Sequence, residues 1–298
     1  MSKDKHPVHV SEAPRNKIIS TSKFTQYDHC LNPYVGCAHG CTYCYVQFFM
    51  KGPTTWGHWV RVRRHMDRQL PRDLRDVTPT RLAIGTMTDP YQPIEEEERL
   101  TRRALEIVAE YEMTSVGIFT RSPLILDDLE LLQRVNATIH FTIAPIDPKY
   151  LEKLEPLTTE IEARWEAVEK LKSAGLKTCV NVAPALPIVS DDLAVEYCNK
   201  LAALQIDEFF VDPMQLYRES KNRVEMALYG HPRYQEIEVL LESRAGYAEW
   251  KGRMHESWVE AWQAVMDQSP NTRALAMDHE NKVRIDMSNG DHLPWRDE

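Results

Sequence analysis

Apolar positions follow two alternating patterns along the chain from residue 81 onward. Short apolar runs of strand length alternate with longer segments in which apolar residues recur every three or four positions, as on one face of a helix. The predicted strands span 81–85, 114–119, 138–143, 177–182 and 208–211, and the predicted helices span 95–112, 124–135, 159–175 and 191–204. Strands that alternate with helices predict repeated βαβ units and a parallel sheet, and therefore an α/β fold.

We expect these units to close into a full or partial barrel, a fold that carries its chemistry on the loops after the carboxyl ends of its strands. Those loops span 86–93, 120–123, 144–148, 183–187 and 212–213. One helix also has end signals, since Thr159 and Glu162 have the spacing of a capping box and Gly175 is a C-terminal cap residue.

The two ends of the chain lack this alternation. Residues 1–25 are polar and aperiodic, and we expect them to form an N-terminal arm. Residues 215–298 are predicted to form a C-terminal appendage with helices and a hairpin. The stretch 234–268 is rich in helix formers and tryptophan, and Asn289-Gly290 within 283–295 is a hairpin turn signal. The regular core therefore spans 26–214.

Composition narrows the class of protein. The chain has 298 residues, of which 43% are hydrophobic, so it can bury a large core. We expect a cytoplasmic protein without a membrane segment, because the first ten residues lack an apolar signal and no run approaches the ~20 apolar residues that span a bilayer. The net charge of −9 does not favour wrapping of long nucleic acid, although a local basic patch remains compatible with that role.

Three of the six cysteines, Cys37, Cys41 and Cys44, lie within eight residues. Thiolates are soft ligands for iron–sulfur clusters or zinc, and three of them can hold a [4Fe–4S] cube whose fourth iron stays open. The alternative is a structural zinc ion with His39 or His29 as the fourth ligand.

The other three thiols, Cys30, Cys179 and Cys198, are not expected to be ligands. Cys198 is expected in the packed core. Cys179 shares strand parity with Asn181 and either packs or points into the barrel.

The spacing Cys-x₃-Cys-x₂-Cys, with Tyr43 before the last cysteine, resembles the radical SAM signature. Four blocks extend the resemblance to the spore photoproduct lyase-like branch: NPYVGCAHGCTYCY, GTMTDPYQPIEEEERLTRRALE, LEPLTTEIEARWEAVEKLKSAGL and VAPALP. They occur in family order between about residues 27 and 213. The resemblance implies a partial (β/α)6 TIM-type radical SAM barrel. It also implies a [4Fe–4S] cluster whose open iron binds S-adenosylmethionine (SAM).

The resemblance further implies that one electron, from a reductant such as flavodoxin or ferredoxin, cleaves SAM into methionine and a 5′-deoxyadenosyl radical that abstracts hydrogen from the substrate. The implied SAM contacts are Tyr43, Thr88, Asp89, Arg121, Thr142, Arg164 and Asn181. Arg121 stands where the family usually has lysine, which keeps the charge and changes the geometry. Arg164 lies on the apolar side of its predicted helix, where it either snorkels to solvent or pairs with a carboxylate of SAM or of the protein.

The sequence identifies the residues that would contact the substrate less clearly than the proposed cluster ligands. Tyr45, Tyr91 and Cys179 are candidates for a hydrogen relay, although packing roles are the alternative for each. The stretch 56–75 mixes arginines with Trp56 and Trp59 and therefore has the composition of a nucleic-acid contact. The alternative for this stretch is a solvated helix face with Asp67, Asp73 and Asp76 as counter-charges. The competing function for the whole chain is a metal-stabilised nucleic-acid-binding module without SAM chemistry.

One residue argues against the reaction of the family members that the chain resembles. Spore photoproduct lyases carry a hydrogen-donating cysteine just before their Thr-Ser-Asp-like segment, and Thr86 occupies that place in Gly85-Thr86-Met87-Thr88-Asp89. An O–H bond is much stronger than an S–H bond, so Thr86 cannot easily quench a carbon radical. We therefore expect a different substrate, with a nucleic acid or nucleotide suggested by the resemblance alone.

Overall fold

The computed structural model describes residues 8–188, 190–215, 218–279 and 282–294. The first seven residues of the predicted arm and Trp295 of the predicted hairpin lie outside the described residues. The chain divides into two compact units. Unit 1 comprises Met1–Phe141 and Glu155–Lys177, and unit 2 comprises Thr142–Leu154 and Thr178–Glu298.

Unit 1 contains two groups of strands. Its strands are β1 (His9–Glu12), β2 (Ile19–Thr21), β3 (His29–Leu31), β4 (Tyr34–Val35), β5 (Trp59–Val62), β6 (Thr80–Ile84), β7 (Met113–Thr120) and β8 (Ala137–Thr142). The small sheet has the order β1-β5-β4, with β1 parallel and β4 antiparallel to β5. In the larger group β3, β6, β7 and β8 are parallel neighbours in that order, and β2 adds an antiparallel edge beside β3.

Helices and 3-10 turns connect these strands. The helices of unit 1 are α1 (Val46–Phe49), α2 (Met66–Val77), α3 (Glu95–Glu98), α4 (Leu100–Val108), α5 (Leu129–Arg134) and, after α6 of unit 2, α7 (Ile161–Ser173). The core of the unit is fully buried and aliphatic, as at Leu82, Ile118 and Ile139 on three neighbouring strands. Burial of these side chains stabilises each strand by roughly 1.5–3 kcal/mol per residue.

Unit 2 begins with α6 (Pro148–Leu154) and continues with β9 (Lys177–Ala185). Its other elements are α8 (Asp191–Ala203), β10 (Glu208–Pro213), α9 (Arg218–Leu228), α10 (Tyr234–Glu242), α11 (Arg244–Gln263), β11 (Arg273–Asp278), β12 (Val283–Asp286) and β13 (His292–Pro294). Strands β9, β10 and β11 are parallel neighbours. Strands β12 and β13 form an antiparallel extension whose turn contains Gly290 with a φ of +80°. The hairpin predicted from Asn289-Gly290 is confirmed.

The predicted α/β class is confirmed, since parallel strands alternate with helices in the core. All five predicted strands exist, and the largest boundary difference is at β9, which ends at Ala185 instead of residue 182. Gly175 ends α7 with a φ of +76°, as predicted for a C-terminal cap. The number of six βα units stays a prediction.

Several local predictions are wrong. The helix predicted over 95–112 is two helices, because Arg99 has left-handed backbone geometry with a φ of +51°. The helix predicted over 124–135 starts as a 3-10 helix, Pro123–Asp128. Thr159 forms no capping box: the N-cap of α7 is Glu160, and the Thr159 carbonyl accepts hydrogen bonds from the Arg164 side chain.

Two further differences concern stretches without a clear pattern. Strands β1 and β2 lie within the polar segment before residue 26, where the pattern predicts none. In the basic stretch, Trp56 and Trp59 are buried at 6% and 1% exposure, so their rings are not exposed for stacking on bases, and a nucleic-acid contact of this stretch stays a prediction. Asp73 is not a surface counter-charge either, since it is buried and accepts from the backbone N–H groups of Ile18 and Ile19.

Among the described residues, no helix is both long enough and apolar enough to cross a bilayer.

Candidate functional site

The three clustered cysteines lie on the loop between β4 and α1. Cys37 and Cys41 are buried, Cys44 is half-buried, and none of the three forms a disulfide bond. The loop turns sharply at Gly36, whose φ is +89°, and an added Cβ there would lie 2.7 Å from Trp59. Glycine is therefore required because of both its backbone geometry and the close approach of the Trp59 ring.

A buried amide holds this loop. The Gln92 side chain has no exposed surface; its Oε1 accepts from Ala38 N at 2.8 Å and its Nε2 donates to Gly36 O at 3.2 Å. Both flanks of Cys37 are thus fixed by one side chain from the loop after β6. Such a fixed loop presents its thiols in one arrangement with little loss of conformational entropy on metal binding.

Asp89 is the polar centre of unit 1. Its Oδ1 accepts from Thr120 Oγ1 at 2.6 Å, its Oδ2 accepts from Arg121 N at 2.9 Å, and His39 Nδ1 lies 3.5 Å from Oδ2. The carboxylate therefore connects the cysteine loop with the loops after β6 and β7. The pKa of His39 falls to about 4 because burial disfavours its charged form.

The segment before the cysteines fixes the loop after β6. Asn32 Oδ1 accepts from Met87 N at 2.9 Å, and Asn32 Nδ2 donates to Thr86 Oγ1 at 3.4 Å. Thr88 is buried and donates to Tyr34 O at 3.2 Å. Thr86 is half-buried and held at its hydroxyl by an amide.

Glu155 joins three of the predicted contact residues in a buried network. Its Oε1 lies 2.7 Å from Arg121 Nη1 and accepts from Tyr43 Oη, while its Oε2 lies 2.5 Å from Arg164 Nη2. Arg164 and Glu155 have no exposed side-chain surface. Arg164 therefore does not snorkel, and the carboxylate that it meets belongs to the protein.

Glu155 faces two guanidinium groups, and Asp89 is a second carboxylate near Arg121. Burial raises the pKa of Glu155, but Arg121 and Arg164 outweigh that effect and the pKa falls to about 2. Arg164 Nη1 is buried and has no hydrogen-bond partner among the described residues. This unused donor of a charged group favours binding of a further anionic group.

The donor set fits an iron–sulfur cluster. Burial raises the pKa of both the Cys37 and Cys41 thiols, that of Cys41 to about 12, so a metal must displace their protons when it binds. Among the described residues, no three His, Cys, Asp or Glu side chains converge closely enough to hold one metal ion. A cube does not need that convergence, because each thiolate binds a different iron.

The histidines proposed for a zinc ion have other contacts. His29 lies on β3 with its Nδ1 2.8 Å from Thr80 Oγ1, and His39 faces Asp89. The loop therefore satisfies the donor chemistry of a cube without the four-donor geometry of a single zinc ion.

Three of the predicted residues belong to unit 2. Thr142 is half-buried at the end of β8, and Cys179 and Asn181 are buried on β9. The side-chain Oδ1 of Asn181 has no hydrogen-bond partner among the described residues, and its backbone carbonyl accepts from Ile143 N at 2.9 Å. A buried amide oxygen of this kind is costly unless a ligand or water donates to it.

The remaining candidates for a hydrogen relay lie in different surroundings. Tyr91 is 1% exposed and donates to Asp128 Oδ2 at 3.0 Å, and Asp128 also pairs with Arg102 at 2.6 Å. This arrangement is typical of a structural tyrosine. Tyr45 is 39% exposed on α1. The relay role of Tyr45, Tyr91 and Cys179 stays a prediction.

Sequence patterns did not single out Gln92 or Glu155. Both lie inside blocks that carry the family resemblance, GTMTDPYQPIEEEERLTRRALE and LEPLTTEIEARWEAVEKLKSAGL. The available signal was therefore their position in those blocks, since a lone Gln or Glu in a polar stretch has no distinctive pattern. Their roles follow from long-range contacts, with Glu155 112 residues from Tyr43.

Comparisons with known proteins show which family model the part of the chain that contains this site matches. The Radical SAM superfamily model matches residues 31–201, more than half of the chain. An uncharacterised protein of Methanocaldococcus jannaschii is 28% identical over 194 residues, which are 64% of this chain and 71% of that protein. An uncharacterised protein of Mycobacterium tuberculosis is 30% identical over 176 residues, 55% of this chain and about half (52%) of its relative.

Solved structures show the same fold. A spore photoproduct lyase mutant with dinucleoside spore photoproduct has a TM-score of 0.66 and 18% identity, covering 89% of this chain and 80% of that chain. Streptococcus suis SuiB bound to S-adenosylmethionine has a TM-score of 0.57 and 13% identity, covering 93% of this chain and 52% of that chain. At these identities the likeness concerns the fold, which confirms the architecture expected from the sequence.

Proposed function

The chain belongs to the radical SAM superfamily, and on that premise we propose that Cys37, Cys41 and Cys44 hold a [4Fe–4S] cluster with which the protein reductively cleaves SAM. When bound, the cluster supplies one electron to SAM, which separates into methionine and a 5′-deoxyadenosyl radical. The observation that carries the proposal is the loop of three thiols without a disulfide, held by Gln92 on both sides of Cys37, inside the region that the family model matches.

The side chains of unit 1 would bind and orient SAM. The guanidinium group of Arg164, whose Nη1 has no hydrogen-bond partner among the described residues, suits the carboxylate of the methionine part. Asp89 suits an ammonium group, since it is a carboxylate at the crossing of three loops. Tyr43 and Thr88 support this arrangement through Glu155 and the Tyr34 carbonyl.

The SAM contacts predicted for Asn181 and Thr142, which belong to unit 2, stay predictions. The Asn181 Oδ1 is buried and has no hydrogen-bond partner among the described residues, so it can accept from a ligand donor.

The expected product pair tests the proposal. Protein with a full cluster, reduced with dithionite under oxygen-free conditions, should release 5′-deoxyadenosine and methionine from SAM in equal amounts, slowly even without substrate. Chromatography of the quenched mixture measures both. Methylthioadenosine, or no product from fully loaded protein, would contradict the proposal.

We propose a substrate other than the spore thymine dimer. Thr86 Oγ1 accepts a hydrogen bond from Asn32 at 3.4 Å and offers an O–H bond where a weak S–H bond would be needed. A dinucleotide spore photoproduct offered with SAM and reductant should therefore show no multiple-turnover repair. Efficient conversion to two thymidines would refute this prediction.

A cysteine replacement separates the donor from the pocket. If Thr86→Cys produces repair that the parent protein lacks, the pocket already accepts thymine dimers and only the hydrogen donor is missing. If Thr86→Cys stays inactive while it still cleaves SAM, the substrate pocket itself differs. Thr101→Ser, a buried threonine whose hydroxyl bonds to Pro90 O, serves as the matched control.

The substrate class proposed here is a nucleic acid or nucleotide. It rests on the resemblance to spore photoproduct lyases and on the exposed arginines of α2, namely Arg68, Arg72 and Arg75. The competing binding module without SAM chemistry is less favoured, because the polar loops after β6 and β7 converge on the cysteine loop. The free thiols suit a reducing compartment, and we propose a cytoplasmic location with a flavodoxin or ferredoxin as reductant.

A further inference from the structure

The short helix α1 begins two residues after Cys44 and has two different sides. Its inner residue Val46 is buried in a cluster with Cys37, Trp56 and Trp59. On the outer side, Tyr45 is 39% exposed and Phe49 is 62% exposed, and their rings meet edge to face with centroids 6.3 Å apart. Two large aromatic side chains are therefore partly exposed immediately beside the cysteine loop.

Two cations lie close to α1 along the chain or close to Trp59, which packs in the same cluster as Val46 of α1. Lys51 follows α1 and is exposed, and the Arg61 guanidinium lies 5.2 Å from the centroid of the Trp59 ring. The Trp59 ring approaches both Gly36 and Gly52, the neighbours of Cys37 and Lys51, because an added Cβ at either glycine would clash with it. Arg61, Lys51 and the cysteine loop thus surround one buried indole.

The charge of this segment differs from that of the whole chain. Residues 29–66 contain no Asp or Glu, whereas a segment of that length would carry about six at the chain's average frequency. The same segment has Lys51, Arg61, Arg63 and Arg64, of which Arg64 pairs with Glu98, in a protein whose net charge is −9. The net charge of the chain would repel an acidic partner, whereas Lys51 and Arg61 would attract it locally.

We propose that Tyr45, Phe49, Lys51 and Arg61, the α1 face, are the docking surface for an acidic one-electron carrier protein. This inference rests on the proposed function. The reduced carrier would give up one electron to the cluster that the three cysteines would hold, and no bond would form or break. Exposed aromatics with cations nearby match the apolar centre and charged rim of a transient interface.

A nucleic acid is the competing occupant, since cations and aromatics also suit single strands. The structure favours the carrier because the two tryptophans of the basic stretch are buried and because the α1 face adjoins the thiols that need an electron. Tyr45 follows Cys44 directly in the sequence, so the α1 face begins next to a proposed cluster ligand. Electron transfer requires a short distance between the carrier and the cluster, whereas binding of a nucleic-acid strand does not.

Charge reversal on the α1 face tests the proposal. The double variant Lys51→Glu with Arg61→Glu should weaken binding of a purified, strongly acidic bacterial flavodoxin at least about tenfold, mainly through slower association at low salt. The matched control, Lys23→Glu with Lys170→Glu, makes the same change in net charge at two exposed lysines elsewhere in unit 1. Its affinity should stay within about twofold of the parent's. Biolayer interferometry measures both.

Arg61 packs on Trp59, so its replacement could disturb the fold and weaken binding indirectly. A second pair of variants avoids this problem. The single replacements Lys51→Glu and Phe49→Ser change only exposed side chains, and each should weaken flavodoxin binding several-fold. SAM cleavage driven by dithionite should be unchanged in every α1-face variant, whereas cleavage driven by reduced flavodoxin should fall.

The outcomes separate the two claims. Absence of 5′-deoxyadenosine from dithionite-reduced parent protein refutes the proposed function, whatever the binding data show. Equal flavodoxin affinity in the α1-face variants and the lysine control overturns the docking surface. Unchanged flavodoxin affinity together with lost binding of a single-stranded oligonucleotide also overturns it, in favour of a nucleic-acid surface.

Discussion

Replacing any one of Cys37, Cys41 and Cys44 with alanine is expected to abolish SAM cleavage and remove most of the iron. Each thiolate is proposed to bind a different iron of the cube, so no neighbouring donor can substitute for a lost one. The loss should exceed the ~10–100-fold effect typical of residues that only support a ligand. Iron and sulfide per chain, together with 5′-deoxyadenosine formation, measure it.

A buried thiol outside the loop provides the control. Cys198 has no exposed surface on α8, and burial raises its pKa to about 12, so it is neutral and packed. Cys198→Ala should retain iron and SAM cleavage and lose only some stability. Full iron content in any one of the three loop variants would show that the ligands are wrongly assigned.

Replacing Glu155 with glutamine is expected to be the most destabilising single change of a charged residue in unit 1. The Arg121 and Arg164 guanidinium groups would remain buried without a carboxylate, and breaking such a buried arrangement costs about 3–5 kcal/mol. Urea unfolding at neutral pH measures the free energy. Glu169→Gln, at an exposed position of α7, should change it by less than about 0.5 kcal/mol.

The difference in the free energy of unfolding between the parent protein and Glu155→Gln depends on pH. The pKa of Glu155 in the folded protein, about 2, lies below its ordinary value of 4.5. Its contribution is therefore complete above the ordinary pKa and is lost as the pH falls from about 4.5 toward 2. The stability difference between the parent and Glu155→Gln should shrink across that window. A difference that is already absent at neutral pH would contradict the role given to Glu155.

Local patterns in the sequence predicted the parts of the molecule that depend on near neighbours. The spacing of Cys37, Cys41 and Cys44, the apolar strands and the Asn289-Gly290 turn all concern residues that are close along the chain. Arg99 shows the limit of this approach, because nothing in the periodicity of 95–112 indicates a left-handed residue between two helices.

Long-range contacts could not be predicted in the same way. Trp56 and Trp59 have the same neighbours in sequence whether they stack on bases or pack in the core, and the packing was decided by Gly36 and Gly52. In the sequence, Glu155 is a single carboxylate in a polar block. In the folded protein it contacts Tyr43, Arg121 and Arg164. Burial of several charges together is a property of the tertiary structure.

Mössbauer spectroscopy of protein reconstituted with ⁵⁷Fe, before and after addition of SAM, tests the central claim most directly. Three cysteine ligands leave one iron of a [4Fe–4S] cube open, so one iron in four should change its spectrum when SAM binds, and the other three should not. Iron that is mononuclear, or a full cube in which no single iron responds to SAM, would contradict the assignment of Cys37, Cys41 and Cys44 as the ligands of a SAM-binding cluster.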